Sequence, residues 1–449
     1  MNRSQPGIYA MLRASTPVIL LNLTFVVMQA TDAWMIGKLG NRQLAAITPP
    51  SMGIFAIISF GYAFLGMVTA LVGQHFGAGN RSKCGYYGWL GIYSALGIGL
   101  VSLLLWPCAS LFEFFAGSEQ GSLGNLQGRY FKVSLLAVAP VLITNAIASF
   151  YFGIGRPLPI LLASLLGLLL NAFISYGLIF GTFFLPEWGF DGAAWGTFFS
   201  AAIECLALLL LYTQTPSNSK MGTRYPPSSL HGMSQLWKVG LPSGIQGAVD
   251  VLSWGVLISS LIACYGEEAL AAGTILMRCM QCTFLPAEGV ATVTVALVAQ
   301  DIGIGKPAQA LIHARNALRI NSVFMVTAGL LFFIFRHELI AIFTDDPQVT
   351  ALAASAMIFI TIAQWFDAMN VTYLHALQGA GDTKWSSIVN ITLSAVILGV
   401  GGFLAITFFK EQGANVIWLL AFFYIAMQGI LFRLRWKSGR WRQINLDAT

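Results

Sequence analysis

LVGQHFGAG, residues 71–79, returns as LVAQDIGIG at 297–305, an offset of 226. Two other echoes keep that offset: GNRQLAA at 40–46 with GEEALAA at 266–272, and Gly153-Ile-Gly155 with Gly379-Ala-Gly381. Three matches at one spacing mark a chain whose second half repeats its first. What surrounds them is apolar. Of 449 residues 57% are hydrophobic and 9% charged, whereas soluble domains carry about 25% charged residues. Apolar runs long enough to cross a bilayer core of about 30 Å recur from end to end. Twelve spans are predicted, near 11–36, 49–73, 87–111, 131–152, 157–181, 190–213, 239–263, 274–298, 314–336, 350–375, 385–408 and 415–436. The fold class is therefore an all-α polytopic membrane protein of twelve helices in two pseudo-symmetric six-helix lobes. Six spans per half is an even number, so both halves cross the membrane in the same sense, a parallel repeat about an axis along the membrane normal.

The longest polar stretch, TQTPSNSKMGTRYPPSSLHGM at 213–233, divides the spans six and six. It predicts an N-lobe over 1–213, a cytoplasmic linker over 214–238, a C-lobe over 239–436 and a cytoplasmic tail over 437–449. The first apolar run is longer than a signal-peptide core and is read as a retained span. Six scattered cysteines predict no disulfide framework, and Cys279-Met-Gln-Cys282 lies in an apolar helix without a second ligand pair, so it reads as small core residues. With the N-terminus placed in the cytoplasm, cytoplasmic loops and span ends hold 17 of the 24 Lys and Arg, the outer side 6 and the membrane 1. That bias puts both termini inside. The net charge of +6 thus reports orientation and not a nucleic-acid partner.

Five carboxylates lie within predicted spans: Asp32, Glu204, Asp250, Glu288 and Asp367, with Arg278 the one basic residue at comparable depth. Each ionised group at a helix centre costs about 2.5–3.5 kcal/mol on insertion scales, so five cost roughly 10–15 kcal/mol. A polar cavity whose acids bind a cation or a proton explains their presence. Asp32 lies in the outer half of span 1, about 22 Å along the helix from Pro17. Asp250 lies about 12 Å past Pro242 in span 7, with Gln246 on its face. Asp367 is near the middle of span 10, with Asn370 at i+3. Asn171, with Ser175 one turn on, suits either helix packing or the cavity. Glu204 and Glu288 are additional acids, read equally as structural or functional. The acids do not obey the repeat: Asp32 corresponds to Ile258, Asp250 to Thr24, and Asp367 to Val141. The five histidines are read as lying mainly in or near loops. No enzyme motif or nucleotide loop is present, so transport must draw on an ion gradient, with H⁺ or Na⁺ as coupling ion and no cofactor.

Several stretches together resemble the MATE (multidrug and toxic compound extrusion) family over essentially the whole chain. TDAWMIGKLG at 31–40 is similar to its first-span signature, LVGQHFGAGN at 71–80 to its second-span end, and NAFISYGLIFG at 171–181 to its fifth span. GLPSGIQGAVD at 240–250 and FDAMNVTYLHALQGAGDT at 366–383 resemble spans 7 and 10 of the NorM branch, while Glu204 is similar to the DinF branch. The resemblance implies a two-lobe antiporter in the bacterial inner membrane that expels cationic amphipathic small molecules by rocker-switch alternating access, and a monomer is expected. It implies a proton or substrate site at Asp32, Asn171 and Ser175, and a cation site at Asp250, Asp367, Gln246 and Asn370, with Asp250 and Asp367 as Na⁺ ligands. Ser175 stands where span 5 of the family commonly has an acid, which leaves few hard oxygens around Asp32 and favours proton chemistry there. The alternative is a flippase of lipid-linked precursors, which would call for basic cavity residues to hold phosphates.

Overall fold

A computed structural model describes residues 7–119, 121–215 and 220–444. Parts of the expected linker (216–219) and tail (445–449) lie outside the described residues. Among the described residues there are helices and no strands, and twelve helices are long and apolar enough to cross a membrane. They are α1 Ile8–Gly37, α2 Asn41–Gly77, α3 Arg81–Ala116, α4 Leu123–Gly153, α5 Leu158–Phe180, α6 Phe190–Gln214, α7 Met233–Ala263, α8 Glu267–Gly303, α9 Pro307–Ile334, α10 Pro347–Ala380, α11 Thr383–Phe408 and α12 Asn415–Lys437.

Several helices outrun the predicted spans, because hydropathy marks the apolar stretch while the backbone stays helical through its polar ends. α2 and α8 each run 37 residues. His75, His313 and His375, read as lying mainly in or near loops, consequently lie inside helices α2, α9 and α10, close to their ends.

The helices form two compact units. The first holds Leu20–Gly244 and the second the remaining described residues. In the first unit α4 packs on α2, α3 and α6; in the second α10 packs on α8, α9 and α12. These are the same contacts shifted by six helices. Within a bilayer, lipid tails are as apolar as the protein, so helices associate through close packing of small residues and through hydrogen bonds. The echoed glycines show how. A Cβ on Gly153 would lie 2.8 Å from the Val72 side chain and 3.0 Å from the Thr69 carbonyl. A Cβ on Gly379 would meet Val295 and Val298 at 2.7 and 3.2 Å. Thr69 and Val72 occupy the repeat positions of Val295 and Val298, so one helix crossing is built twice. Gly79 (φ 81°) and Gly305 (φ 77°) end the echoed stretch in the left-handed region, where a side chain is strained.

Candidate functional site

In the second unit α7 and α11 are joined by three polar rungs. Ser387 donates to Gln246 Oε1 at 3.1 Å, Asn390 Nδ2 donates to Asp250 Oδ1 at 2.9 Å, and Ser253 and Ser394 hydroxyls meet at 2.5 Å. The sequence separation stays at 140 or 141 throughout, so the two helices run parallel in register. The third rung sits at the first residue of a π-helical turn in each helix, Ser253–Ile258 in α7 and Ser394–Val400 in α11. Such turns gather at functional sites because they break the regular backbone ladder.

Asp250 takes a second donor, the Tyr424 hydroxyl of α12 at 3.2 Å. Asp367 is buried on α10 and accepts from Asn370 at 3.3 Å. The two carboxylates have separate donors and lie within electrostatic reach of each other and of Glu288. The Oδ1 atoms of Asn370 and Asn390 are buried and have no protein partner. With the two carboxylates they supply hard oxygens, the ligand type a Na⁺ ion prefers.

In the first unit Asn171 and Ser175 are fully buried. Asn171 Nδ2 faces Ser175 Oγ at 3.5 Å and Thr197 Oγ1 of α6 at 3.4 Å. Ser164, two turns before Asn171 on the same face of α5, meets Thr24 of α1 at 2.9 Å. Asp32 is not bonded to Asn171 or Ser175 among the described residues; its Oδ1 is buried without a partner, within electrostatic reach of Tyr130 of α4. Tyr130 in turn bonds Ser51 and Ser134. Glu204 of α6 lies against Gly167 of α5, where a methyl group would overlap its carboxylate. Arg278 is exposed and donates to Gln281, one turn away. No Lys or Arg among the described residues forms an ion pair with Asp32, Glu204, Asp250, Glu288 or Asp367.

The MatE family profile matches residues 17–177 and 248–403, one stretch in each half. The chain belongs to the MatE family. Among curated relatives, this MatE protein is 27% identical to the probable multidrug resistance protein NorM of Thermotoga maritima over 84% of this chain and 80% of that one. It is 26% identical to the multidrug resistance protein PmpM of Pseudomonas aeruginosa over 91% and 86%. Among solved structures, the eukaryotic MATE transporter AtDTX14 superposes with a TM-score of 0.83 at 20% identity, covering 98% of both chains. The outward-facing conformation of a multidrug resistance MATE family transporter superposes with a TM-score of 0.85 at 18% identity, covering 96% of both. These likenesses show that the MatE fold spans the chain from end to end.

The residues around the site acids and Asn171, namely Asn390 and Tyr424 as donors to Asp250, Thr197 as acceptor from Asn171, and Tyr130 near Asp32, were missed by sequence reasoning. Asn390 stands in an Asn-x-Ser/Thr triplet inside a span, where the triplet carries no weight. The signal that finds it is the repeat: Asn390 and Asp250 occupy the positions of Ser164 and Thr24.

Proposed function

We propose that this MatE protein is a cation-coupled multidrug efflux antiporter that exports organic cations in exchange for H⁺, with Na⁺ as contributor or alternative, by rocker-switch alternating access. The reading places it as a monomer in the bacterial inner membrane, both termini in the cytoplasm, its lobes 1–213 and 239–436 joined by the 214–238 linker. The observation that carries it is a set of intramembrane carboxylates held by neutral donors, with Asn390 and Tyr424 on Asp250 and Asn370 on Asp367, and no Lys or Arg among the described residues paired to them. A carboxylate with neutral partners stays free to trade a proton or Na⁺ for a cationic substrate. Two ligands that compete for one negative charge give exchange when each favours a different conformation. Asp32, together with Asn171 and Ser175, serves protons or substrate in the first unit. Asp250, Asp367, Gln246 and Asn370 serve the coupling cation in the second. The names of NorM and PmpM support multidrug substrates. The lack of Lys or Arg partners to these acids among the described residues argues against a phosphate-bearing lipid substrate.

Purified protein in liposomes tests the reading, with efflux of ethidium followed under imposed pH and Na⁺ gradients separately. Ethidium movement driven by a pH gradient in Na⁺-free buffer is expected. Efflux that is strictly Na⁺-dependent and indifferent to the pH gradient would reduce Asp32 to a substrate counter-charge and overturn the proton assignment.

A further inference from the structure

His375 and Glu288 face each other in the second unit. Glu288 is near the middle of α8. His375 follows Asp367 by eight residues on α10, on the same face and about 12 Å along the helix. His375 Nε2 lies 3.0 Å from Glu288 Oε1, and Nδ1 lies 2.8 Å from the carbonyl oxygen of Val371. A carbonyl can only accept, so Nδ1 carries a hydrogen. In the neutral ring Nε2 is then bare. A bare Nε2 opposite a carboxylate at 3.0 Å would set two acceptors against each other, so a proton lies between them. Placed on the carboxylate, it gives a neutral imidazole beside a carboxylic acid; placed on Nε2, it gives an imidazolium beside a carboxylate. Both forms hold the same number of protons and have no net charge.

We propose that Glu288 and His375 form one proton-binding site that exchanges its shared proton against a cation bound at Asp250 and Asp367. The proposal rests on the reading of those two acids as a cation site. When the shared proton leaves for solvent, the pair gains one negative charge within electrostatic reach of both acids. A cation there offsets that charge, and linkage makes the effect reciprocal: proton release favours the cation, and the cation favours release. Glu288 Oε2 is buried without a partner, and the pair is 29% and 13% exposed at its side chains, so the site is shielded without being sealed. The groups around it are defined. Asp250 comes from α7, Asp367 from α10 and the Tyr424 hydroxyl from α12. Asn321 of α9 is neutral and bonds Thr372 and the Ala287 carbonyl. The cations Arg315 of α9 and Arg433 of α12 act on Tyr373. At the equivalent positions of the first half stand Tyr62 and Ser149, so this site exists in one half alone.

The test is a titration of full-length protein in lipid nanodiscs with ¹⁵N-labelled histidine. The His375 signals are assigned by their loss in His375→Gln. The expected result is an Nδ1 that stays protonated throughout, and a titration midpoint that moves by one pH unit or more, tenfold in proton affinity, in Glu288→Gln. Saturating ethidium should also lower the wild-type midpoint, since the bound cation favours proton release. Ethidium binding is read separately by its fluorescence. If ethidium binds and the wild-type midpoint does not move, or if the midpoint is the same with and without Glu288, the proposal is overturned. If ethidium binds neither wild type nor variant, the cation-site reading fails, and the dependence of the midpoint on Glu288 still decides whether the pair is one proton site. Should Glu288→Gln fail to fold, wild-type Nε2 carrying a hydrogen in the neutral ring overturns the proposal by itself.

Discussion

Asn390 donates to Asp250 at 2.9 Å, and the same two positions of the first half are held by Ser164 and Thr24, also 2.9 Å apart. One hydrogen bond between the first and fifth helices of a half is kept in both copies, and a charge was placed on it in only one. The contrast separates scaffold from chemistry. Asn390→Ala should lower efflux at least tenfold, since leaving a buried charged acceptor without its donor costs about 1–3 kcal/mol or more. Ser164→Ala should leave efflux near wild type and cost about 0.6 kcal/mol, the mean for interhelical bonds in membranes. Equal losses in ethidium efflux for the two variants would refute the distinction.

Asp250→Asn should abolish efflux while the protein melts at an unchanged or higher temperature. The amide keeps the side-chain shape and removes a buried charge whose desolvation opposes folding. A large drop in melting temperature would make Asp250 a structural acid.

Asp32→Asn should likewise abolish efflux of cationic drugs with expression intact. Asn retains shape and polarity but can neither titrate nor carry charge. Transport near the wild-type rate, measured at matched protein levels, would assign Asp32 to the helix end and not to the site.

Gly167→Ala should destabilise the first unit, because the added methyl overlaps the Glu204 carboxylate. Adding Glu204→Ala should recover the melting temperature. Failure of the second substitution to rescue the first would show that Gly167 answers to some other neighbour.

His313 Nδ1 meets Asp301 Oδ2 at 2.6 Å near the junction of α8 and α9, and the equivalent residues of the first half, Tyr87 and His75, stack with ring centroids 5.0 Å apart. His313→Ala should cost about 1–3 kcal/mol, the penalty for stranding a buried polar partner. The loss should appear in thermal unfolding and be largely absent in Asp301→Ala/His313→Ala, where both partners are gone.

The twelve helices and the two halves were legible because both follow from hydropathy and an exact offset, which are properties of a line of residues. The acids were legible because a carboxylate in an apolar run is costly wherever it points. Their partners were not. Asn390 is 140 residues from Asp250 and Tyr424 is 174 away, and a neutral donor has no cost in an apolar run that would mark it out. His375 was hidden for another reason. The apolar stretch ends near it, while α10 continues to Ala380, so a residue that reads as an edge is half-buried within the helix.

The π-helical turns at Ser253 and Ser394 begin side by side, one step beyond the charged rung. A π turn holds one residue more than its neighbours, and that surplus can pass along a helix as hydrogen bonds shift from five residues apart to four. The residues it passes turn by about 100°, the rotation of one residue. The stretch before the turn stays tied by Gln246–Ser387 and Asp250–Asn390. α7 and α11 thus each leave the regular ladder at the same height, pinned to one another there by the Ser253 and Ser394 hydroxyls. The charged rung therefore rests on regular helix, and the break in the backbone ladder begins one turn past it in both partners.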